Sequence, residues 1–193
     1  MSSTRTRRSA LLAAAAFVLP LTLGVAAPAF ADAPKADPYG PACASVPKDG
    51  AGSLAGMAKD PVATAASHNP ALSTLVAAVK KAGLADTLNN AQNITVFAPS
   101  NDAFKKIPKA DLAKILADKA QLTKILTYHV VGEKLTPKQM ENGTFKTLEG
   151  GSLTTAGSGT TFTVNKTAKV VCGDVQTANA TVNIIDTVLT PPK

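Results

Sequence analysis

The sequence predicts an α+β domain, on three observations. Capped helical patterns run from Met57 to about Asn142, alternating strand patterns run from Phe145 to Leu189, and one short β-branched strand, Ile94 to Ala98, stands among the helices. No internal repeat is visible, so the chain carries a single copy of this domain.

Each element has a local reason. Residues 32–53 are rich in Pro, Ala and Gly without apolar periodicity, and read as an irregular segment whose single fixed point is Cys43. Asp60-Pro61 supplies an N-cap side chain followed by Pro at the first helical position, and Asn69-Pro70 repeats the device. Leu72, Leu75, Val76 and Val79 follow helical spacing until Gly83 ends the run. Ile94 to Ala98, bounded by Asn93 and Pro99, reads as a buried strand, after which Ser100 caps a short helix carrying Phe104. Leu112, Ile115 and Leu116, then Leu122, Ile125 and Leu126, extend the helical pattern, and His129, seven residues beyond Leu122, falls on the same apolar face. The lysines interleaved with these positions read as the wet side of the same helices. Beyond Phe145, short alternating runs are separated by Gly150-Gly151, Gly157-Ser158-Gly159 and Gly173, the punctuation of strands and turns.

Composition narrows the class. With 45% apolar and 17% charged residues the 193-residue chain is globular rather than disordered, and its formal charge of +7 raises the question of a polyanionic partner. Arg5, Arg7 and Arg8 precede an apolar run from Ala10 to Ala27, and Ala29-Phe30-Ala31 forms a small-x-small cleavage pattern, so residues 1–31 read as a secretory signal; a retained membrane anchor is the alternative. Without them, 17 basic residues face 13 acids, a charge of +4 on 162 residues, and all 17 are lysine. Absence of guanidinium forks speaks against a nucleic-acid reader. The expected organisation is a signal at 1–31, an irregular tethered segment at 32–56 and a folded domain at 57–193, monomeric, extracellular and without a membrane anchor.

Only two cysteines occur, Cys43 and Cys172. In an oxidising compartment they most simply pair with each other, with free or intermolecular thiols as the alternative.

Little in the chain suggests catalysis. His68 and His129 are the only histidines, no Cys-x-x-Cys or His-x-x-x-His spacing offers a zinc site, and no Gly-x-Ser-x-Gly elbow or Gly-Lys-Ser/Thr cradle is present. Asp174 and Asp186 could meet across a sheet, but nothing assigns them acid and base roles. We therefore expect no enzyme, cofactor or metal. Asn-x-Thr triplets at Asn93, Asn142, Asn165 and Asn179 read as a product of Thr-rich strands.

Several segments together resemble the fasciclin-domain family. The run Ile94-Thr95-Val96-Phe97-Ala98-Pro99-Ser100-Asn101-Asp102-Ala103-Phe104 is similar to its first signature, Leu126-Thr127-Tyr128-His129-Val130-Val131 to its Tyr-His motif, and Val182-Asn183-Ile184-Ile185-Asp186-Thr187-Val188-Leu189 to its second signature, with Asn183 where that signature has His. The stretches around Cys43, Asp60 and Cys172 resemble the secreted single-domain immunogenic antigens that mycobacteria contribute to the family. The resemblance implies a wedge of two β-sheets flanked by helices and a Cys43–Cys172 bridge. It also implies adhesion to extracellular, matrix or cell-surface partners, with contacts around an Asp-Ile pair, here Asp174-Val175, and around Tyr128-His129. For Tyr128-His129 a buried, hydrogen-bonded role is preferred over partner contact. Thr95, Phe97, Pro99, Asn101, Phe104, Asn183 and Asp186 are expected to be structural. The competing expectation is a carrier of a small apolar or glycan ligand, held between helices and sheet.

Overall fold

The structure is a computed structural model that describes residues 37–192. The expected secretory signal at 1–31 lies outside the described residues. Eight α-helices and seven strands occur among the described residues, the helices preceding most of the strands. No described helix is long and apolar enough to cross a membrane.

The helical part begins with α1 (Leu54–Met57), capped by Ser53, and α2 (Val62–Ser67). A 3-10 turn at Pro70–Leu72 is capped by Asn69, whose Oδ1 accepts the Ala71 N–H at 3.0 Å. It leads into α3 (Ser73–Ala82), which stops at Gly83 because that residue takes φ +75°, open to glycine at little cost. After α4 (Ala85–Asn90) comes β1 (Ile94–Pro99), buried at every position, and Ser100 caps α5 (Asn101–Lys105). The long helical stretch divides at Asp118 into α6 (Lys109–Ala117) and α7 (Lys119–Tyr128), because the Asp118 carboxylate accepts the N–H groups of Ala120 and Gln121 and starts a new helix. Short β2 (Val130–Val131) and α8 (Pro137–Met140) precede β3 (Asn142–Lys146), β4 (Ser152–Ser158), β5 (Thr161–Val164), β6 (Ala168–Gln176) and β7 (Ala180–Ile185).

One expected cap is corrected. Asp60 does not cap α2; Pro61 occupies the cap position without a side-chain bond, and the Asp60 carboxylate instead lies 3.3 Å from Nδ1 of His68. The orphan N–H groups of α2 are met from afar: Val62 donates to Oδ1 of Asn179 at 2.8 Å and Ala63 to Oδ1 of Asn89 at 2.9 Å. Asn179 Nδ2 also donates to the carbonyls of Leu88, Asn89 and Ala91, so one buried amide fastens two helices to the sheet.

The strands form one mixed sheet in the order β2-β1-β7-β6-β5-β4-β3. β1 and β7 are parallel, in register from Ile94 opposite Ala180 to Pro99 opposite Ile185, and every other pairing is antiparallel. β6 divides the sheet into two leaves. Its first residues, Ala168 and Lys169, pair with β5, whereas from Val170 onward it pairs with β7. The far ends approach each other where Val131 bridges Thr147 and Leu148 N–H donates to Val130 O at 2.8 Å, so the wedge is nearly a barrel.

Alternation sorts the side chains into two cores. Ile94, Val96 and Ala98 of β1, with Ala180, Val182 and Ile184 of β7, face the helices. Phe97 and Ile185 point the other way and join Phe145, Leu153, Phe162 and Val164 inside the wedge.

The N-terminal segment has more than one fixed point. Cys43, in a 3-10 turn at Pro41–Ser45, is bonded to buried Cys172 with the Cα atoms 4.9 Å apart. Tyr39 and Gly173 also exchange both backbone hydrogen bonds, at 3.1 and 2.7 Å. The Tyr39 ring lies directly on Gly173, where any Cβ would collide with it. Replacing Cys43 and Cys172 together by serine opens a loop of 129 residues and is expected to lower stability by about 4–5 kcal/mol in the chain-entropy description. Equilibrium urea unfolding measures this, and a loss below about 1 kcal/mol would show that the Tyr39–Gly173 pairing secures the segment alone.

Candidate functional site

The four residues expected to meet a partner are all buried and do not share one place: Tyr128 lies in the wedge core, Val175 in the helical core where it lines a cavity with His129, and Asp174 on β6. Each of them also has a task inside the protein.

Tyr128 ends α7 with its hydroxyl donating to Ser152 O at 2.9 Å and accepting from Nδ2 of Asn165 at 3.0 Å. Asn165 in turn accepts the Thr154 N–H, which ties the helix to the β4–β5 hairpin. His129 is 2% exposed and uses both ring nitrogens. Nδ1 lies 2.8 Å from Ile125 O, which can only accept, and Nε2 lies 2.9 Å from the Leu189 N–H, which can only donate. These partners select the neutral tautomer protonated on Nδ1. Burial lowers the imidazole pKa to about 4, opposed by the Ile125 bond, which favours the charged form.

Val175 faces the helical core. Asp174 beside it differs in kind. It sits within the second register shift of β6, between Cys172 and Val175, with φ +57°, a left-handed backbone that Asp tolerates better than most residues. Its N–H donates to Oδ1 of Asn183 at 3.0 Å, and its Oδ1 accepts from Nε2 of Gln176 at 2.7 Å. Asn183, where the family signature has His, thus holds the bulge in place; its Nδ2 lies 3.6 Å from Sδ of Met140. Burial raises the Asp174 carboxyl to about 6, with nearby Lys134 and the Gln176 bond pulling the other way. Asp174 also adds to the effect of burial in raising the Tyr39 phenol.

The remaining signature residues connect elements. Thr95 Oγ1 donates to Glu133 O and accepts the Leu135 N–H, both at 2.8 Å. Asn101 accepts the Thr74 N–H at the start of α3 and donates to Pro70 O. Phe97 and Phe104 fill the wedge and helical cores respectively, and Pro99 ends β1. Asp186 Oδ1 accepts the Lys169 N–H at 2.8 Å and Oδ2 pairs with Lys106 at 3.0 Å. Burial opposes its ionisation, but the Lys169, Lys106 and Thr187 bonds outweigh it and hold the carboxyl below the usual range. The β6–β7 register puts Asp186 at the start of β6 and Asp174 near its end, so the two carboxylates do not form a pair. Among the described residues no group of three or more His, Cys, Asp or Glu side chains is placed to hold a metal ion.

Comparison with known proteins agrees with this architecture. A family model described as Fasciclin domain matches residues 70–191. Cell surface glycolipoprotein MPB83 of Mycobacterium bovis is 48% identical over 167 residues, covering 82% of this chain and 74% of that protein. Immunogenic protein MPB70 of the same species is 46% identical over 187 residues, covering 93% of each. Among solved structures, the FAS1 domain pair of the insect cell adhesion molecule Fasciclin I superposes with a TM-score of 0.53 at 24% identity, over 63% of this chain. The match spans 46% of that two-domain structure, and the likeness shows the shared fold.

His129 and Asp174 give opposing pH dependences. An unfolded histidine binds its proton near 6.5 and the native one only near 4, so the stability from keeping His129 neutral is complete above 6.5. It is lost as pH falls toward 4, on the order of 3 kcal/mol in all. Asp174 binds its proton more readily folded than unfolded, so its cost is complete above about 6 and is relieved as pH falls toward 3.8. Asp174→Asn, which keeps the bulge backbone and an amide for Gln176, is expected to be more stable than the wild type at pH 7 and to lose stability more steeply between pH 6 and 4. Urea unfolding at several pH values checks this; equal slopes would overturn it.

Proposed function

The chain belongs to the fasciclin domain family, and on that premise we propose that it is a secreted, non-enzymatic interaction protein that adheres to an extracellular protein, matrix or cell-surface ligand. Its domain is taken as 57–193, preceded by the tethered segment 32–56 and a signal at 1–31, and it acts as a monomer. An extracellular setting suits the Cys43–Cys172 disulfide.

The observation that carries the reading is the Asp174 carboxylate. It stands on a strand bulge in left-handed backbone, burial raises its pKa to about 6, and no cation pairs with it among the described residues. Its Oδ1 is engaged by Gln176, while Oδ2 accepts no bond from a described residue. Burying a carboxylate with one oxygen unengaged costs stability, and left-handed backbone at a non-glycine residue gathers at functional positions. A partner that brings a cationic or hydroxyl donor to Oδ2 would relieve that cost. The exposed loop Gly132-Glu133-Lys134, with Gln176, would frame the contact. In this reading Tyr128, His129 and Val175 hold the frame and do not touch the ligand.

Solid-phase binding of the oxidised, secreted protein to intact cells and to immobilised matrix is the test. Saturable binding is expected for the wild type and a loss of about tenfold or more for Asp174→Asn, with an unchanged far-ultraviolet circular dichroism spectrum. Wild-type affinity in the Asp174→Asn protein would overturn the assignment.

A further inference from the structure

Between α2, α3 and the helix-facing side of the sheet lies a cavity of about 60 Å³. Its walls include Val62, Leu75, Val79, Val96, Val182 and Ile184. Most polar atoms on its lining are committed elsewhere. Both nitrogens of His129 are bonded to backbone, Asn69 Oδ1 accepts the Ala71 N–H, and Thr177 Oγ1 exchanges bonds with Ala180. A buried water needs two to four polar partners, and the interior of this lining offers one, Asn69 Nδ2, which has only Sδ of Met57 at 4.0 Å, with Lys80 confined to the rim, so the interior favours an apolar occupant.

The outer end of the cavity has a different character. Ala66 and Val76, on facing helices, are only half-buried, and Lys80 is exposed. No carboxylate among the described residues pairs with Lys80. An apolar interior with an unpaired ammonium at its rim matches one ligand chemistry: an unbranched alkyl chain ending in a carboxylate. At one water-sized sphere per roughly 10–15 Å³, the cavity has room for about four to six water-sized groups, the end of a chain rather than the whole of it.

We infer that this cavity is a binding site for the tail of a medium-chain fatty acid, whose carboxylate pairs with Lys80 at the mouth. The site is distinct from Asp174 and does not depend on the adhesion reading. Binding shields alkyl surface from water without displacing an ordered water, and the carboxylate sets which end of the chain enters.

The test is titration of the oxidised, secreted protein with sodium octanoate and, separately, with 1-octanol, followed by proton–nitrogen NMR. Both ligands are expected to shift amides of Val62–Ser67 and Ser73–Ala82 in a saturable manner. Val76→Phe and Ala66→Leu, which place bulk in the mouth at half-exposed positions, are each expected to weaken both ligands by at least about tenfold. Lys80→Glu is expected to weaken octanoate by about tenfold, one ion pair's worth in a partly desolvated site, and to leave 1-octanol unchanged. No saturable shift with either ligand would overturn the site, as would shifts confined to other elements or wild-type binding in whichever mouth variant folds. An equal response of both ligands to Lys80→Glu would overturn the carboxylate's role and with it the proposed fatty acid.

Discussion

Strand β6 has to belong to both leaves of the sheet at once, and both cores depend on how it changes partner. Ala168 and Lys169 extend the hairpin leaf through β5; from Val170 the strand belongs to β7 and the central leaf. The transfer sends Val170 into the wedge and Cys172 and Val175 into the helical core. A one-residue slip of such a strand would exchange its two faces, and because both enter apolar cores the hydrophobic pattern alone does not set its register. Four contacts, at three places along the strand, prevent the slip. Asp186 grips the Lys169 N–H at the start, the Cys43 disulfide and the Tyr39–Gly173 pair fix the middle, and Asn183 holds the Asp174 N–H at the end. Tyr39 also covers a strand edge that β5 no longer pairs, which removes a template for pairing with another chain.

The recognisable motifs knit this assembly together. Thr95, Asn101, Asn179 and His129 each bond backbone groups of elements remote in sequence, and each satisfies donors or acceptors that helix ends or irregular loops would otherwise leave bare. Exposed ion pairs such as Lys105–Asp102 and Lys114–Asp111 contribute little by comparison, because water and salt screen them. The lysine-rich helix faces therefore say more about solubility than about the fold.

What could be read from the sequence follows the same division. Ser100, Asn69 and Gly83 act on neighbours within three residues, so their caps were legible, as were the buried β1 and the strand-rich final third. Asp60 misled because its side chain had a second local option, His68, while the donor it was expected to satisfy was taken by Asn179, 117 residues away. Nothing near Asn179 marks it as a clamp; its triplet with Thr181 looks like ordinary strand composition. His129 was legible as an inward residue from its spacing to Leu122, but the Leu189 N–H that fixes its tautomer was not. The bulge at Asp174 leaves no local signal, since Asp in a strand pattern reads equally well as a solvent-facing position.

The pair Asp174-Val175 shows how a shared motif can divide between two roles. Read against the family's Asp-Ile, the exchange to Val looks like a weakened contact with a partner. In the structure Val175 is 1% exposed and lines the cavity beneath α2 and α3, so no partner at the surface could sense the missing methylene. Its effect falls on the interior: a shorter side chain at 175 leaves the wall thinner at a place where packing is already incomplete, and voids of this kind cost stability unless something fills them. Asp174, one residue away, keeps the full carboxylate and the strained backbone that presents it. Positions 175 and 174 therefore divide in role: Val175 belongs to the helical core beside the cavity, and Asp174 to the bulge of β6.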